Sequence, residues 1–405
     1  MSSWQPVVIG DLGRVITGKT PSSAKPEQFG VNYPFVTPSD IQFGNKYVKT
    51  DRFLSEQGIE AHRRIKLPEK AVCVVCIGAT IGKVCVTNQT SVSNQQINSI
   101  IVDAKKHDPD FVFYIASVLR ATLEAYAGGA ATPIVNKGAF SKIKLLVPDL
   151  ITQRKIAAIL TAYDDLIEIN KRRIVLLEKM AEEIYREWFV RMRFPGHQDT
   201  RFIKDVPEGW EKKKFGHFCM LKRGYDLPNA LVVQGPYPVL ASTSIKTYHN
   251  HYKVEPPVIT TGRSGSLGDV LISFSRAWPL NTSLYVRNFF GNSPFFIFYT
   301  LKKMGLEKFN SGAGVPTLNR NHLNAIPMSV PNKELQKRFG TVIEPIHRQI
   351  EVYRSLNNNL TKTRDFLLPR LVSGKLSVDD LDIQFPPGMQ VSSSGVDVEL
   401  EASHA

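Results

Sequence analysis

The sequence is poor in cysteine and has no long apolar segment. Only four of its 405 residues are cysteines, and it shows no clear export signal. Both features favour the reducing cytoplasm, where structural disulfides are rare. No run approaches the roughly 18 consecutive apolar residues of a membrane-spanning helix, so we expect no such helix. The apolar content of 42% is sufficient for two or three ordinary domains.

Acidic residues are scarce relative to basic ones. The chain has 51 lysines and arginines against 37 aspartates and glutamates, which gives a formal charge of +14. Such a surplus favours a polyanionic partner, with nucleic acid ahead of an acidic membrane. The alternative is a basic surface that serves solubility alone, and composition does not separate the two.

One short stretch matches a nucleotide-binding loop but lacks its context. Residues 13–20, GRVITGKT, fit the pattern G-x-x-x-x-G-K-[ST]. A phosphate-binding loop leads into a helix whose N-terminus faces the phosphates. Here Pro21 follows at once, and Pro26 opposes a helix. We interpret the match as accidental. A nucleotide hydrolase remains the enzymatic alternative, and a hydrolysis assay on Lys19→Ala would test it.

The chain contains an internal repeat. Residues 128–148 align with 311–331 at an offset of 183, and the N-terminal parts align at an offset of 206. The first copy is therefore 23 residues longer between these blocks. Matching pairs include Trp4 with Trp210, Gly10 with Gly216, Gly18 with Gly224, Gly129 with Gly312, Pro133 with Pro316, Asn136 with Asn319, and Pro148 with Pro331. Because the second copy reads GYD where the first reads GKT, the shared element is a glycine turn and not a phosphate loop.

Each copy predicts a mixed domain of strands with at least one helix. Residues 71–79 and 256–262 are short apolar runs bounded by turns, which is typical of buried strands. Residues 109–127 and 293–309 are helix-like and occupy the same relative place. The predicted fold class is α+β, with two mixed α/β domains.

A heptad pattern follows each domain. Its seam positions in the first copy are Ile156, Leu160, Tyr163, Ile167, Asn170, Ile174, Leu177, Ala181, Ile184 and Trp188. Those in the second are Phe339, Ile343, Ile346, Ile350, Tyr353, Asn357, Leu360, Arg364, Leu367 and Leu371. Alternating spacings of four and three predict two long helices that pack along this seam. Pro369 is expected to end or bend the second helix before Leu371.

The seam predicts an architecture. Ten seam positions span ~50 Å of helix, and antiparallel pairing would hold two similar domains apart about a pseudo-two-fold axis. The predicted order is a domain at 1–150, a helix at 151–194, a domain at 195–331, a helix at 332–380, and a polar, disordered tail at 381–405. Two readers at a fixed separation suit a DNA duplex, whose major-groove faces recur every ~34–36 Å.

Several sequence motifs, taken in order, resemble those of one family. Trp4 and Gly10, the GATIGKV turn (78–84), the segment VPDLITQRKIAAIL (147–160) and the ending RLVSGKL (370–376) are similar to the specificity subunits of type I restriction–modification enzymes. The resemblance covers residues 1 to about 380. One departure is that the family usually has Glu-Gln where this chain has Thr152-Gln153 and Leu335-Gln336, which concerns the local helix cap or packing.

The resemblance implies a non-catalytic, cytoplasmic subunit with two target-recognition domains. Each domain would read one part of a split double-stranded DNA target, and the antiparallel helices would set the unread spacer. The helices would also dock two modification subunits, which methylate adenine with S-adenosylmethionine. Two restriction subunits with ATP- and Mg-dependent translocase and nuclease would complete the complex. This chain itself would carry no cofactor. Its nearest approach to an adenine-methylation motif is Glu255-Pro256-Pro257-Val258.

Candidate DNA contacts come from the glycine turns and from a repeated loop. Phosphate contacts need basic side chains and turn amides, whereas base reading needs long polar side chains. The candidates are Lys19, Thr20, Thr80, Lys83, Asn136, Lys137, Arg223, Tyr225, Arg263, Ser264, Asn319 and Arg320. For Asn136-Lys137 and Asn319-Arg320, a turn or cap is an equal alternative.

A zinc site is the remaining alternative chemistry. Cys73, Cys76 and Cys85 include a C-x2-C spacing, but no fourth ligand follows at a suitable distance. We expect these cysteines to be small buried hydrophobes, and we expect neither metal nor catalytic residues. The main functional alternative is a stand-alone DNA-bridging protein, for which stable, specific binding by the isolated chain would be the discriminating observation.

Overall fold

The chain forms two compact units. The computed structural model describes residues 4–128, 133–204, 206–312 and 314–385. Unit 1 combines Met1–Asn170 with Ser355–Ala405, and unit 2 is the continuous stretch Lys171–Arg354. The boundaries cut both long helices, so each unit contains one globular domain and a segment of each helix. The tail expected to be disordered lies mostly outside the described residues, since these end at 385.

The strands of unit 1 build a central sheet and a smaller one. They are β1 (Gln5–Val8), β2 (Gly13–Thr17), β3 (Phe29–Gly30), β4 (Tyr33–Val36), β5 (Phe53–Leu54), β6 (Val72–Val75), β7 (Val84–Val86), β8 (Val92–Ser93), β9 (Ile97–Val102) and β10 (Lys144–Val147). The central order is β2-β9-β6-β7, antiparallel throughout. A second sheet has the order β3-β5-β4-β8, in which β4 and β8 are parallel, and β1 pairs with β10.

Helices cover one face of the central sheet. The short helices of unit 1 are α1 (Glu56–Ala61), α2 (Pro109–Ser117), α3 (Arg120–Tyr126) and α4 (Lys137–Ser141). Helix α2 contacts β6 and β7. Because strand side chains alternate between faces, Val72 and Val74 of β6 join Phe111 of α2 in the main core of the unit.

Unit 2 repeats this topology. Its strands are β11 (Phe202–Ile203), β12 (Val206–Pro207), β13 (Glu211–Lys214), β14 (Met220–Arg223), β15 (Tyr237–Leu240), β16 (Ile245–His249), β17 (Val258–Gly262), β18 (Val270–Ser273), β19 (Trp278–Pro279), β20 (Ser283–Asn288) and β21 (Pro327–Val330). Its short helices are α6 (Phe215–Phe218), α7 (Pro294–Lys303) and α8 (Arg320–Asn324). Helices α5 (Leu150–Phe189) and α9 (Lys333–Leu371) each contribute to both units.

Equivalent strands have equivalent partners in the two units. The order β14-β20-β17-β18 corresponds to β2-β9-β6-β7, and β13 pairs with β21 as β1 pairs with β10. The parallel pair β15–β19 corresponds to β4–β8. The predicted repeat and the mixed α+β class are therefore confirmed.

Both long helices end earlier than the sequence predicted. Helix α5 ends at Phe189 and α9 at Leu371, instead of 194 and 380. Each is followed within three residues by a residue in the left-handed conformation, Met192 after α5 and Gly374 after α9, which is typical of helix ends. Pro369 neither ends α9 nor excludes Leu371, which is buried. A proline in the last turn removes only one helical hydrogen bond.

The predicted seam is buried or half-buried in each unit. None of the twenty seam residues is exposed. In unit 1, Asp164 pairs with Arg364, and Asn170 Nδ2 donates to Asn357 Oδ1 at 2.9 Å. In unit 2, the Trp188 and Phe339 rings lie 5.7 Å apart, and Arg354 pairs with Glu178 at 2.8 Å. As the residue number rises along α5, that of its partner on α9 falls, so the two helices are antiparallel within each unit.

A buried glutamine joins each long helix to the preceding domain. Gln153 Nε2 donates to the Pro148 carbonyl and its Oε1 accepts from Asp108 N. Gln336 repeats both contacts with the Pro331 carbonyl and with Ser293 N. The side chains of Asp149 and Asn332 cap the two helix starts by accepting from the backbone amides of Thr152 and Leu335. The departure from the Glu-Gln pattern thus leaves the glutamine contact intact.

The C-terminal segment completes the core of unit 1. Leu371, Val372 and Val378 belong to its main core cluster. Lys155 Nζ donates to three carbonyls of this segment, those of Val378, Asp379 and Leu381, at 3.3, 2.8 and 2.8 Å. The core of unit 1 therefore contains residues from both ends of the described chain.

Candidate nucleic-acid interface

Four chain segments meet beside the central sheet of unit 1. The turn after β2 is bound to the start of β9, from Gly18 N to the Ile97 carbonyl at 3.1 Å. Lys19 N donates to the Ser93 carbonyl at 2.9 Å. The loop after β6 joins the segment before α4, since Gly78 N donates to the Pro133 carbonyl at 2.9 Å. We call this arrangement the four-segment junction.

Unit 2 has the same junction with the same hydrogen bonds. Gly224 N donates to the Ser283 carbonyl at 3.0 Å and Tyr225 N to the Pro279 carbonyl at 2.8 Å. Gly265 N donates to the Pro316 carbonyl at 3.0 Å. The backbone of the candidate site is thus repeated, while its side chains differ between the units.

The repeated glycine at this junction allows two backbones to touch. A Cβ at Gly18 would overlap the Ser93 carbonyl oxygen, and one at Gly224 would overlap that of Leu280. Residues 13–17 form a strand, and the chain reaches its first α-helix only at Glu56. The nucleotide-loop match is therefore accidental, because the loop does not lead into an α-helix.

The unit 1 candidates fall into two places. Lys19 and Thr20 are exposed at the junction, where the Thr20 hydroxyl donates to Gln95 Oε1. Thr80 is half-buried in the loop between β6 and β7. Lys83 instead faces the 37–43 loop, since its Nζ donates to the Pro38 carbonyl at 3.2 Å.

The two repeated asparagines have a structural role. Asn136 Oδ1 accepts from Ala139 N at 2.9 Å and so caps α4. Asn319 Oδ1 accepts from Asn321 N at 3.0 Å at the start of α8. Their neighbours Lys137 and Arg320 are exposed. The cap alternative accounts for both asparagines, and their contact with DNA stays a prediction.

The remaining unit 2 candidates gather at the junction. Arg223 is exposed and lies 3.9 Å from Asp226. Arg263 N and Ser264 N both donate to the Thr282 carbonyl, at 2.8 and 3.1 Å. The Tyr225 ring stacks on Tyr285 with centroids 5.9 Å apart. These four candidates thus belong to one surface region of unit 2.

Sequence reasoning missed one side-chain link in each junction. Asn281 Nδ2 donates to Asp226 Oδ1, as Thr20 is bound to Gln95. These positions are equivalent, and Gln95 and Asn281 are both amides, but Thr20 donates the hydrogen bond whereas Asp226 accepts it, so an alignment of letters gives no signal. The missed Lys222, Lys253 and Trp278 are likewise assembled by the fold from separate strands and loops.

The cysteines do not converge on a metal. Cys73 and Cys85 are opposite each other on β6 and β7 and pack in one core cluster, whereas Cys76 packs in another. Burial raises the pKa of the Cys76 thiol to about 11, which disfavours the thiolate that zinc binds. Within the described ranges, no group of three or more potential metal ligands is found.

No helix in the described part of the chain is long and apolar enough to cross a membrane.

A family model described as type I restriction modification DNA specificity domain matches residues 1–179 and 207–362. The chain belongs to the type I restriction–modification specificity subunits. The two matched segments fall on the two repeated halves, each with its own four-segment junction.

Two curated specificity subunits illustrate the similarity. The type I restriction enzyme MjaIX specificity subunit of Methanocaldococcus jannaschii is 24% identical over 411 residues, which cover 93% of this chain and 94% of the relative. The HindI specificity subunit of Haemophilus influenzae is 34% identical over 165 residues, covering 38% and 35%. A crystal structure of a type I restriction–modification S subunit from M. genitalium superposes with a TM-score of 0.59 at 16% identity over 91% of this chain and 96% of that one. This likeness shows the shared fold.

Proposed function

We propose that each half of this specificity subunit reads one part of a bipartite DNA target. The observation that carries the proposal is the repeated four-segment junction, which has one backbone arrangement and two different sets of side chains. Base reading depends on side chains at groove edges, whereas the scaffold positions them. Two junctions with unlike side chains therefore suit two unlike short sequences.

The long helices are proposed to set the unread spacer. Helices α5 and α9 have 40 and 39 residues, which corresponds to about 60 Å each at about 1.5 Å per residue. Their buried or half-buried seam and their antiparallel pairing within each unit support this role.

The same helices are proposed to dock two modification subunits. In unit 1, Leu166, Ile169 and Phe366 are 49%, 42% and 59% exposed on the helical segments. In unit 2, Leu176 and Val352 are 64% and 49% exposed. Leu166 and Ile169, three residues apart, share a face of α5, and exposed apolar patches mark interaction surfaces.

Catalysis is proposed to reside in the partners. The modification subunits would hold S-adenosylmethionine, and two restriction subunits would use ATP and Mg. The role of this chain is then to recognise DNA and to assemble the complex in the cytoplasm. The alternative hypothesis, a stand-alone DNA-bridging protein, is tested by the same experiment, described below.

The test is to co-express the chain with its modification subunit and to map methyladenine across the host genome. We expect two short defined blocks around a fixed undefined gap. A continuous motif, or none from a stable and active complex, would contradict the proposal and favour the bridging alternative.

A length variant tests the spacer separately. Seven residues inserted after Asn170 and seven after Arg354 keep the heptad phase and add about 10 Å to each helix. The gap should lengthen by about three base pairs at about 3.4 Å per pair, with both blocks unchanged. The control carries the insertion in α5 alone, which mispairs the seam and should abolish modification. An unchanged gap in the double insertion would rule out the spacer role.

A further inference from the structure

One face of the central sheet is covered in unit 1. Ile16, Cys73 and Val75 point away from α2 and pack in a second core cluster. Ile41, Val48 and Leu67 cover them, and these three residues belong to the 37–71 segment between β4 and β6. The extra length of the first copy thus provides an apolar lid for its sheet.

The equivalent face in unit 2 has a smaller apolar cover, in which Leu240, Val254 and Ala277 pack with Val258, and cationic side chains lie beside it. Only residues 241–257 join β15 to β17. Leu221 packs in the core of unit 2, so its neighbour Lys222 points to the opposite face. Lys222 is half-buried and aligned with Tyr285 on β20, and Arg287 is exposed. Lys222 occupies the place of the buried Ile16, according to the offset of 206.

Aromatic rings position the lysines of this face. Lys253 Nζ lies 4.8 Å from the Trp278 ring centroid and 5.9 Å from that of Tyr225. Lys222 Nζ lies 5.7 Å from the Tyr225 ring, and the Tyr225 hydroxyl is 3.0 Å from that of Tyr285. Rings hold an ammonium group without neutralising its charge. Among the described residues, no carboxylate forms an ion pair with Lys222, Lys253 or Arg287.

Unit 2, which carries the cationic face, also has the larger positive net charge. Unit 2 has 28 lysines and arginines against 15 acidic residues, a net charge of +13. Unit 1 has 23 against 22, a net charge of +1. Nearly all of the formal charge of the chain therefore belongs to unit 2.

We infer that Lys222, Tyr225, Lys253 and Trp278 form a phosphate-binding surface that unit 1 lacks. It gives the second recognition domain a sequence-independent, salt-dependent attachment to the DNA backbone, because each phosphate neutralised by lysine releases counterions. The first domain, with its lidded sheet, contributes much less to this attachment. The inference rests on the proposed function, since the occupant is duplex DNA.

The repeat provides a matched control for Lys253. Lys253 precedes Val254, which forms an isolated bridge with Ala277, and Lys66 precedes Leu67, which forms the equivalent bridge with Ser91. The two lysines thus occupy equivalent positions, and only Lys253 lies over aromatic rings of this face. The test compares Lys253→Gln, Lys253→Arg and Lys66→Gln in the full-length chain.

The experiment measures the affinity for a fluorescent duplex of random sequence over a series of KCl concentrations. Lys253→Gln should weaken binding and reduce the slope of log K against log[KCl] by about 0.9, the value for one phosphate contact. Lys253→Arg should keep the wild-type slope because it keeps the charge, and Lys66→Gln should change it by less than half as much.

Each other outcome overturns the inference in a recognisable way. Equal slopes for Lys253→Gln and wild type, or equal losses for Lys253→Gln and Lys66→Gln, reject the surface while DNA binding stands. No binding of duplex by the wild-type chain rejects both the surface and DNA binding by the free chain. If Lys253→Gln instead abolishes binding to vesicles containing phosphatidylserine and leaves the DNA slope unchanged, the surface belongs to a membrane.

Discussion

The two units attach their domains to the long helices with different chemistry at equivalent positions. In unit 1, Asp164 of α5 accepts from the Tyr114 hydroxyl at 2.5 Å and pairs with Arg364 of α9. Both charged side chains are at most 7% exposed. In unit 2, His347 takes the place of Asp164 and is hydrogen-bonded to Tyr299 at 2.8 Å. Ala181 takes the place of Arg364.

The difference shows that the repeat preserves the contact between tyrosine and helix, although the group on the helix is charged in unit 1 and neutral in unit 2. A tyrosine from the domain reaches a polar group on the helix in both units. A buried carboxylate needs a cation nearby, whereas a neutral imidazole does not. Unit 1 adds a further buried pair, between Lys46 and Asp110 at 2.7 Å. Sensitivity to substitution and to pH should therefore differ between the units.

The largest effect is expected from Arg364→Met. It leaves Asp164 buried without its cation, and breaking a buried pair in this way costs about 3–5 kcal/mol. Equilibrium urea denaturation measures the free energy of unfolding. Arg354→Met is the control, because its half-exposed pair with Glu178 should contribute at most about 1 kcal/mol.

A double variant sharpens this prediction. Arg364→Ala together with Asp164→His installs the residues of unit 2 in unit 1. We expect it to be more stable than Arg364→Met, because no unpaired carboxylate remains. If it is less stable, the equivalence of the two contacts is wrong.

The next effect concerns pH and unit 2. Burial lowers the pKa of His347 to about 4, whereas an unfolded histidine has a pKa of about 6.5. The unfolded state therefore binds the proton first, and unit 2 should lose up to about 3 kcal/mol as the pH falls from about 6.5 to 4. Thermal unfolding at several pH values should show this slope in the wild type.

The slope should be smaller in His347→Gln, which keeps a polar group near Tyr299 but does not titrate. Exposed His322→Gln serves as the control and should behave like the wild type. An identical pH dependence in His347→Gln would show that other groups cause the loss.

A smaller effect is expected from the paired glutamines. Gln153→Leu and Gln336→Leu each leave a buried backbone amide and a carbonyl without their partner, at a cost of about 2 kcal/mol. Since both glutamines make the same two contacts, the two costs should agree. Denaturant unfolding of the single variants measures these costs. A large difference would show that the same two contacts contribute unequally to stability in the two units.

The smallest effect is expected from the helix caps. Asn136→Ala and Asn319→Ala should each cost about 1 kcal/mol of stability. If capping is their whole role, the methylated target sequence should stay unchanged when the variants are co-expressed with the modification subunit. A changed block in the methylation motif would assign that asparagine to DNA reading.

Local patterns in the sequence predicted the repeat, the seam and the glycine turn. A heptad is visible in the order of residues because helix geometry is periodic, and Gly18 and Gly224 stand at matching places. The pairing of Tyr225 with Tyr285 was not predictable, since it depends on the register of β14 and β20. The covering of Ile16 by the 37–71 segment was equally hidden, because no local pattern reveals where a long loop folds back. The DNA contacts themselves stay predictions.

The attachment of the C-terminal segment has a consequence for synthesis. A ribosome releases residues 171–354 as one stretch, so every residue of unit 2 is available while unit 1 still lacks 355–381. Until Leu371, Val372 and Val378 emerge, the nascent core of unit 1 has an open apolar side, and Lys155 lacks its three carbonyls. Unit 1, which is synthesised first, is therefore the last to have a complete core. Translation that stops before residue 371 yields a chain with all residues of unit 2 and an incomplete unit 1.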